Sequence, residues 1–212
     1  MMQNYTHIIW DWNGTLLDDV AWCIKRMNIM LQKRGLPTLD SVEAYHNVFG
    51  FPVIDYYRRV GFDFDKEPFE TLAIEFIEMY HDKNSDVTLF PNAKEILDEI
   101  RQNNIPQIIL SASELGNLQE QMRPFCIDKY FDEILGIPDI YATSKIDLGK
   151  AYIKRTRPQK AVLIGDTTHD KEVADVLGID CILIANGHQS KKTLLSTNAV
   201  VVDNIIDIKN VL

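Results

Sequence analysis

Asp11 closes the apolar run Ile8-Ile9-Trp10 and opens the turn Trp12-Asn13-Gly14-Thr15, so a carboxylate reaches a point where Gly14 and Thr15 can surround an anion. Far along the chain, Val162-Leu163-Ile164-Gly165 ends on Asp166, with Asp170 four residues further on. Carboxylates so placed suit a hard, oxygen-seeking cation such as Mg2+. Two positions between them offer partners for anionic oxygens. Ser111 ends Ile108-Ile109-Leu110 just before a helical stretch, where its hydroxyl and the amide of Ala112 could hold such oxygens at a helix amino terminus. Lys145 opens another helical stretch and could offer a point charge, with Lys150 as the rival nearby. His169, beside two acids, reads as a hydrogen-bonded neighbour.

Each position has an ordinary alternative. Asn13-Gly14 could be a tight turn that Asp11 caps, Ser111 an N-cap, Lys145 a solvated surface residue, and Asp166 and Asp170 a turn former and a helix-start residue. Chemistry is favoured by agreement of position. All four places fall at the carboxyl end of an expected strand, where open α/β sheets bind their ligands.

The elements that must hold these residues alternate. Short apolar runs at residues 7–10, 107–110, 133–135, 161–164, 181–184 and 199–202 are expected strands, and residues 92–103, 115–122, 145–155 and 171–177 are expected helices. That alternation implies an α/β fold, a doubly wound parallel sheet with helices on both faces. From Asp18 to about Asp86 the periodicity is helical (Trp22, Met27, Met30, Leu31; then Phe69, Leu72, Ala73, Phe76, Met79), with no convincing strand. The chain therefore divides into a core of residues 1–17 and 87–212 and a helical insertion of residues 18–86. Gly35-Leu36-Pro37, Gly50-Phe51-Pro52 and Gly61 punctuate the insertion.

Composition narrows the partners. A chain of 212 residues, 46% of them hydrophobic, can bury a good core. With 22 Lys and Arg against 31 Asp and Glu, a net charge of -9 disfavours nucleic acid but leaves room for a small anion in a locally positive pocket. Cys23, Cys126 and Cys181 are few, far apart and in apolar surroundings, which reads as buried free thiols in a reducing compartment. No basic-then-apolar leader opens the sequence and no run approaches the roughly 18 apolar residues of a membrane span, so a cytoplasmic location and no membrane partner are expected.

In order and spacing, Asp11-Trp12-Asn13-Gly14-Thr15-Leu16-Leu17-Asp18, Ser111, Lys145 and Gly165-Asp166-Thr167-Thr168-His169-Asp170 resemble the four motifs of the haloacid dehalogenase superfamily. The resemblance covers nearly the whole chain, and the helical insertion is similar to the small cap of its phosphoglycolate phosphatase-like and β-phosphoglucomutase-like branches. It implies phosphoryl transfer from a small phosphorylated metabolite to Asp11, which divides one displacement into two easier ones. It further implies Mg2+ held by Asp11, the main-chain carbonyl of Asn13, Asp166 and Asp170. Gly14, Thr15, Ser111, Ala112 and Lys145 would bind the phosphate.

Asn13 departs from the pattern. Phosphatases of the superfamily carry there an aspartate that protonates the departing oxygen and later activates water, help typically worth about 10² to 10⁴ in rate. A slow enzyme, a leaving group that needs no proton, an acid elsewhere such as His169, or deamidation of Asn13-Gly14 would each reconcile the change with catalysis. Dehalogenases also lack the second acid but need no metal. Phosphonatases lack it and need a cap lysine, for which Lys25 and Lys33 are available. A mutase would want the acid too. A phosphate-binding module without turnover is the reading from another class. Trp22, Lys25, His46, Asn47, Arg58 and Arg59 could face a substrate, and none is assigned.

Overall fold

A computed structural model of the chain describes residues 5–81, 86–141 and 145–212. Its centre is a six-stranded parallel sheet, built from β1 (His7–Trp10), β4 (Gln107–Glu114), β5 (Glu133–Ile137), β6 (Ala161–Gly165), β7 (Asp180–Ile184) and β8 (Val200–Val202) in the order β5-β4-β1-β6-β7-β8. Two-residue strands β2 (Leu17–Asp18) and β3 (Thr88–Leu89) pair antiparallel beside it. Such a ribbon is too short for side-chain alternation to signal, so the expectation of no strand from Asp18 onward fails at Asp18 itself.

Alternation within the strands explains the two faces. In β1, Ile8 and Trp10 pack with Ile109, Val162 and Ile164 on one side, against α5 (Ala93–Gln102) and α6 (Leu115–Met122). Ile9 packs with Ile108, Leu110 and Leu163 on the other, against α7 (Ile146–Thr156) and α8 (Thr168–Leu177). Both faces are apolar because both are covered, the mark of a doubly wound sheet. Ile109 is wholly buried beside the central strand. Ile109→Ala is accordingly expected to lower the unfolding free energy by about 3 kcal/mol, read from the midpoint of urea denaturation.

The segment between the two short strands is helical, as its periodicity requires: α1 (Val20–Lys33), α2 (Val42–Val48), α3 (Val53–Arg59) and α4 (Phe69–Tyr80). These helices enclose an apolar cluster of their own, with Met27, Met30, Leu31, Tyr45, Tyr57 and Leu72 inside it. Among the described residues no helix is long and apolar enough to cross a membrane. Cys23 and Cys181 are buried free thiols, but Cys126 is exposed. It sits at a left-handed turn (φ 53°) after a short 3-10 helix, where the chain reverses at the surface.

Some bounds differ from expectation. The expected strand at 107–110 runs on to Glu114, and α8 begins three residues before the expected 171. Lys145 precedes α7 as its cap residue.

Candidate active site

Parallel pairing aligns the ends of three strands. Trp10 of β1 lies opposite Ile109 of β4 and Ile164 of β6, so the residues that leave each ladder next come out side by side. Asp11 holds this exit through its N–H, donated to the carbonyl of Ile164 at 2.8 Å. Asp166 follows β6. Asp170, in the first turn of α8, is fixed by that helix's start, its Oδ2 accepting from the Thr167 N–H at 3.0 Å and hydroxyl at 2.8 Å. Acids are favoured there because first-turn N–H groups lack helical partners.

Lys145 reaches these acids from beyond β5. Its ammonium donates to Asp11 Oδ1 at 2.5 Å and to Asp170 Oδ1 at 2.7 Å, and its side chain is only 2% exposed. Lys150 is exposed, so of the two rivals Lys145 is the one among the carboxylates. Residues 142–144, read with it in sequence, lie outside the described residues. Thr15 lies below, its hydroxyl 3.2 Å from Asp11 Oδ2 and 3.1 Å from Asp166 Oδ1.

Three buried carboxylates meet one ammonium here, and the imbalance shows in their acidities. Burial raises Asp11 to about 6 despite Lys145. Burial likewise raises Asp166 to about 8, against the opposing pull of His188. For Asp170 burial acts in the same sense, but the charge and hydrogen bond of Lys145 prevail and hold it below the usual range. Oxygens of Asp11, Asp166 and Asp170 lie within 4.8 Å of one another. Three hard oxygen donors set against one ammonium fit a divalent cation such as Mg2+. Close packing supports the cluster. Gly14 has φ +72°, and a Cβ there would strike the Asp166 carboxylate and the His188 ring.

Asn13 is locked. Its Nδ2 donates to Asp19 Oδ2 at 2.9 Å and to the Tyr80 hydroxyl oxygen at 3.0 Å, while its Oδ1 accepts from the Ser113 hydroxyl at 2.8 Å. Both amide hydrogens are therefore spent. The acid in this corner is Asp19, which also accepts from the Tyr80 hydroxyl at 2.6 Å and the Gly14 N–H at 3.0 Å, with His188 Nε2 at 3.2 Å. Burial would raise Asp19, but His188 and these donors hold it below the usual carboxylate range. Burial would lower His188 in turn, and Asp19 and Asp166 raise it to about 9. Asp19, Tyr80 and His188 escaped sequence reasoning. Available signals were the doubled Asp18-Asp19 closing the first motif and Gly187-His188 just past the strand end at Ile184.

Other expectations are corrected by position. Ser111 lies inside β4, four residues before α6, whose start is capped by the Glu114 side chain on the N–H groups of Gly116 and Asn117. The helix amino terminus is thus occupied. Ser111 and Ala112 instead border the cavity over Asp11 because β4 breaks register with β5 between Leu110 and Glu114. The Gly14 amide is engaged with Asp19 and with the Leu17 carbonyl, and the Thr15 amide with the Trp12 carbonyl. Neither Gly14 nor Thr15 borders the cavity. His169 has Nδ1 3.4 Å from Glu172 and its ring stacked on Phe51 at 4.5 Å.

That cavity, of about 180 Å3, lies between the strand ends and the helical insertion. Asp11, Asn13, Ser111, Ala112, Lys145, Asp166 and Asp170 form its floor, and rings from α2 to α4 and the loop after β5 form much of its wall. Among the described residues that line it, Lys145 is the one lysine or arginine. Trp22, Lys25, Lys33, His46, Asn47, Arg58 and Arg59 do not line it. Arg58 pairs with Asp55 and Lys33 with Glu75.

The family model described as "Haloacid dehalogenase-like hydrolase" matches residues 8–184. Phosphoglycolate phosphatase of Aliivibrio fischeri is 22% identical over 218 residues, covering 96% of this chain and 94% of that protein.

 Tyrosine-protein kinase PtkA of Mycobacterium tuberculosis is 23% identical over 208 residues, covering 93% of this chain and 70% of that protein. Among solved structures, a haloacid dehalogenase-like family hydrolase of Streptococcus pneumoniae superposes with a TM-score of 0.82 at 22% identity, over 97% of each chain. The doubly wound fold inferred from the sequence is therefore the fold of these proteins.

Proposed function

The chain belongs to the haloacid dehalogenase-like hydrolases, and from that premise we propose that it is a Mg2+-dependent phosphatase of a small phosphorylated metabolite, working through an aspartyl phosphate on Asp11. The observation that carries this reading is the convergence of Asp11 and Asp166 from two strand ends with Lys145 and Asp170 from the starts of α7 and α8 on one buried point. Residues 18–86 act as a cap domain over a core of residues 1–17 and 87–212. A cap suits a small substrate, because closing over the site keeps bulk water from the transfer.

Roles follow from position. Asp11 attacks phosphorus, and Lys145 holds it in place while offsetting charge on the transferring oxygens. Ser111 and Ala112 border the cavity where the phosphate must sit and hold its oxygens. Thr15 fixes the Asp11 and Asp166 carboxylates relative to each other through its hydroxyl, and Gly14 leaves room for the Asp166 carboxylate. Asp11, Asp166, Asp170 and the main-chain carbonyl of Asn13 would hold Mg2+, which supplies charge neutralisation between carboxylate and phosphate. Asn13 contributes no side-chain proton.

Adding Mg2+ to metal-free protein at about a hundred times its dissociation constant should stabilise the fold by about 2.7 kcal/mol. For a chain of this size the thermal midpoint is then expected to rise by about 5 to 10 °C. Asp166→Asn should abolish most of that rise. The decisive assay is turnover of a panel of phosphomonoesters with Mg2+ beside Asp11→Asn, together with detection of phosphorylated Asp11. Asn13 favours a second reading, a phosphate-binding protein without turnover. Binding of metal and phosphate with no turnover and no phosphoenzyme would establish it.

A further inference from the structure

We infer that the substrate is a phosphate ester of a phenol, an aryl phosphate whose leaving group departs as phenolate and whose ring lies against the aromatic wall of the cavity. The inference rests on the phosphatase reading and adds the substrate class. Two independent observations point the same way.

The first is the chemistry missing at position 13. An alkyl phosphate expels an alkoxide, whose conjugate acid is about as weak as water, near pKa 15.7, so its departure needs a proton from the protein. A phenol has pKa about 10, and its oxygen can leave as the anion. Asn13 has neither proton to give, since both Nδ2 hydrogens are bound to Asp19 and Tyr80, and Ser113 holds its Oδ1. Its nearest acid, Asp19, is itself enclosed by Tyr80, Gly14 and His188.

The second is the wall. Phe49, Phe51, Tyr56, Phe69, Phe76 and Tyr141 line the cavity that the carboxylates also line. The only lysine or arginine among the described lining residues, Lys145, is held between Asp11 and Asp170. A second carboxylate on the substrate would find no free cationic side chain among them. A flat apolar ring finds offset and edge-on partners, in a space somewhat larger than the cavity of about 150 Å3 that takes up benzene.

The reaction balances without an acid from the protein. Asp11 Oδ attacks phosphorus, the bond from phosphorus to the aryl oxygen breaks, and the electron pair leaves with phenolate. Water then attacks phosphorus of the aspartyl phosphate, the bond to Asp11 breaks, and the carboxylate is regenerated. One proton of the water passes to solvent and the other stays on the phosphate, which leaves as hydrogen phosphate, while phenolate takes one proton back from solvent.

The test is kcat/KM for substituted phenyl phosphates of graded phenol acidity against cyclohexyl and n-hexyl phosphates, with saturating Mg2+. This ratio reports the steps through departure of the alcohol or phenol. Aryl esters are expected to exceed alkyl esters by about 10² to 10⁴, the range of general-acid help, and to quicken as the phenol becomes more acidic. Asn13→Asp should narrow the gap by raising the alkyl values. Phenylphosphonate should inhibit at least tenfold more tightly than methylphosphonate, which tests the wall apart from the chemistry. Alkyl esters turned over as well as aryl ones would overturn the inference and leave the phosphatase standing, with His169, whose buried Nε2 has no hydrogen-bond partner among the described residues, as the proton source. Equal inhibition by the two phosphonates would overturn it as well. No turnover of either class and no phosphorylated Asp11 would overturn both readings.

Discussion

Asp11→Asn is expected to lower turnover of every accepted phosphomonoester by about 10⁴-fold or more, the scale seen when a covalent nucleophile is removed. No phosphorylated enzyme should form. The substitution keeps the shape of the side chain, so the loss should come without unfolding. Stability gives an independent sign. Burial raises Asp11 to about 6, above the ordinary 3.8. A carboxyl raised in the folded state favours folding at low pH and loses that contribution as pH climbs through its folded value. Above about pH 6, therefore, the metal-free protein carries a destabilising charge at position 11. Replacing it by an amide should leave the metal-free thermal midpoint at pH 7.5 unchanged or higher, while the rise on adding Mg2+ shrinks. Melting curves with chelator and with Mg2+, beside a turnover assay, measure both. A variant that melts far lower without metal, or that keeps more than a tenth of the activity, would show that Asp11 is structural.

How much of this was legible in the sequence depended on the range of each interaction. Strand positions were readable because each apolar run is local and ends on a polar residue, and the sheet then brings those ends together by register. Trp10 opposite Ile164 is enough to put Asp11 near Asp166. Lys145 against Lys150 was not readable, since both belong to one expected helical stretch and what separates them is burial in the fold, which spacing does not display. The fate of Ser111 depended on the broken register of β4, a property of two strands that neither alone displays. The Asp19 hub was hidden most deeply. Its partners Tyr80 and His188 come from α4 and from the loop after β7, and no spacing rule joins residues 61 and 169 positions apart. Asn13 was visible as an anomaly, but its three hydrogen bonds were not.

Lys145→Met should reveal what the buried ammonium contributes. The lysine is nearly sealed and donates to Asp11 and Asp170. Burial would lower its pKa, yet the two carboxylates raise it above the ordinary value. A raised lysine contributes stability fully below its unfolded pKa of 10.5, so at neutral pH the whole contribution is present. Methionine fills much of the same volume without charge, leaving three buried carboxylates with no ammonium among them. Removing one partner of a buried pair costs about 3 to 5 kcal/mol, and the metal-free thermal midpoint should fall accordingly. Mg2+ should recover a larger part of the loss than it adds to the wild type, because the cation supplies the missing positive charge. Turnover should not recover with it. Loss of one charged donor to the transferring phosphate costs about 10² to 10³ in kcat, and a metal on the carboxylate side does not replace it. Lys145→Arg keeps the charge but must fit a planar fork into a sealed point-charge site, so it should be impaired as well. Full kcat for Lys145→Met in saturating Mg2+ would assign the lysine to folding alone, and with it the phosphate would lose its nearest positive side chain.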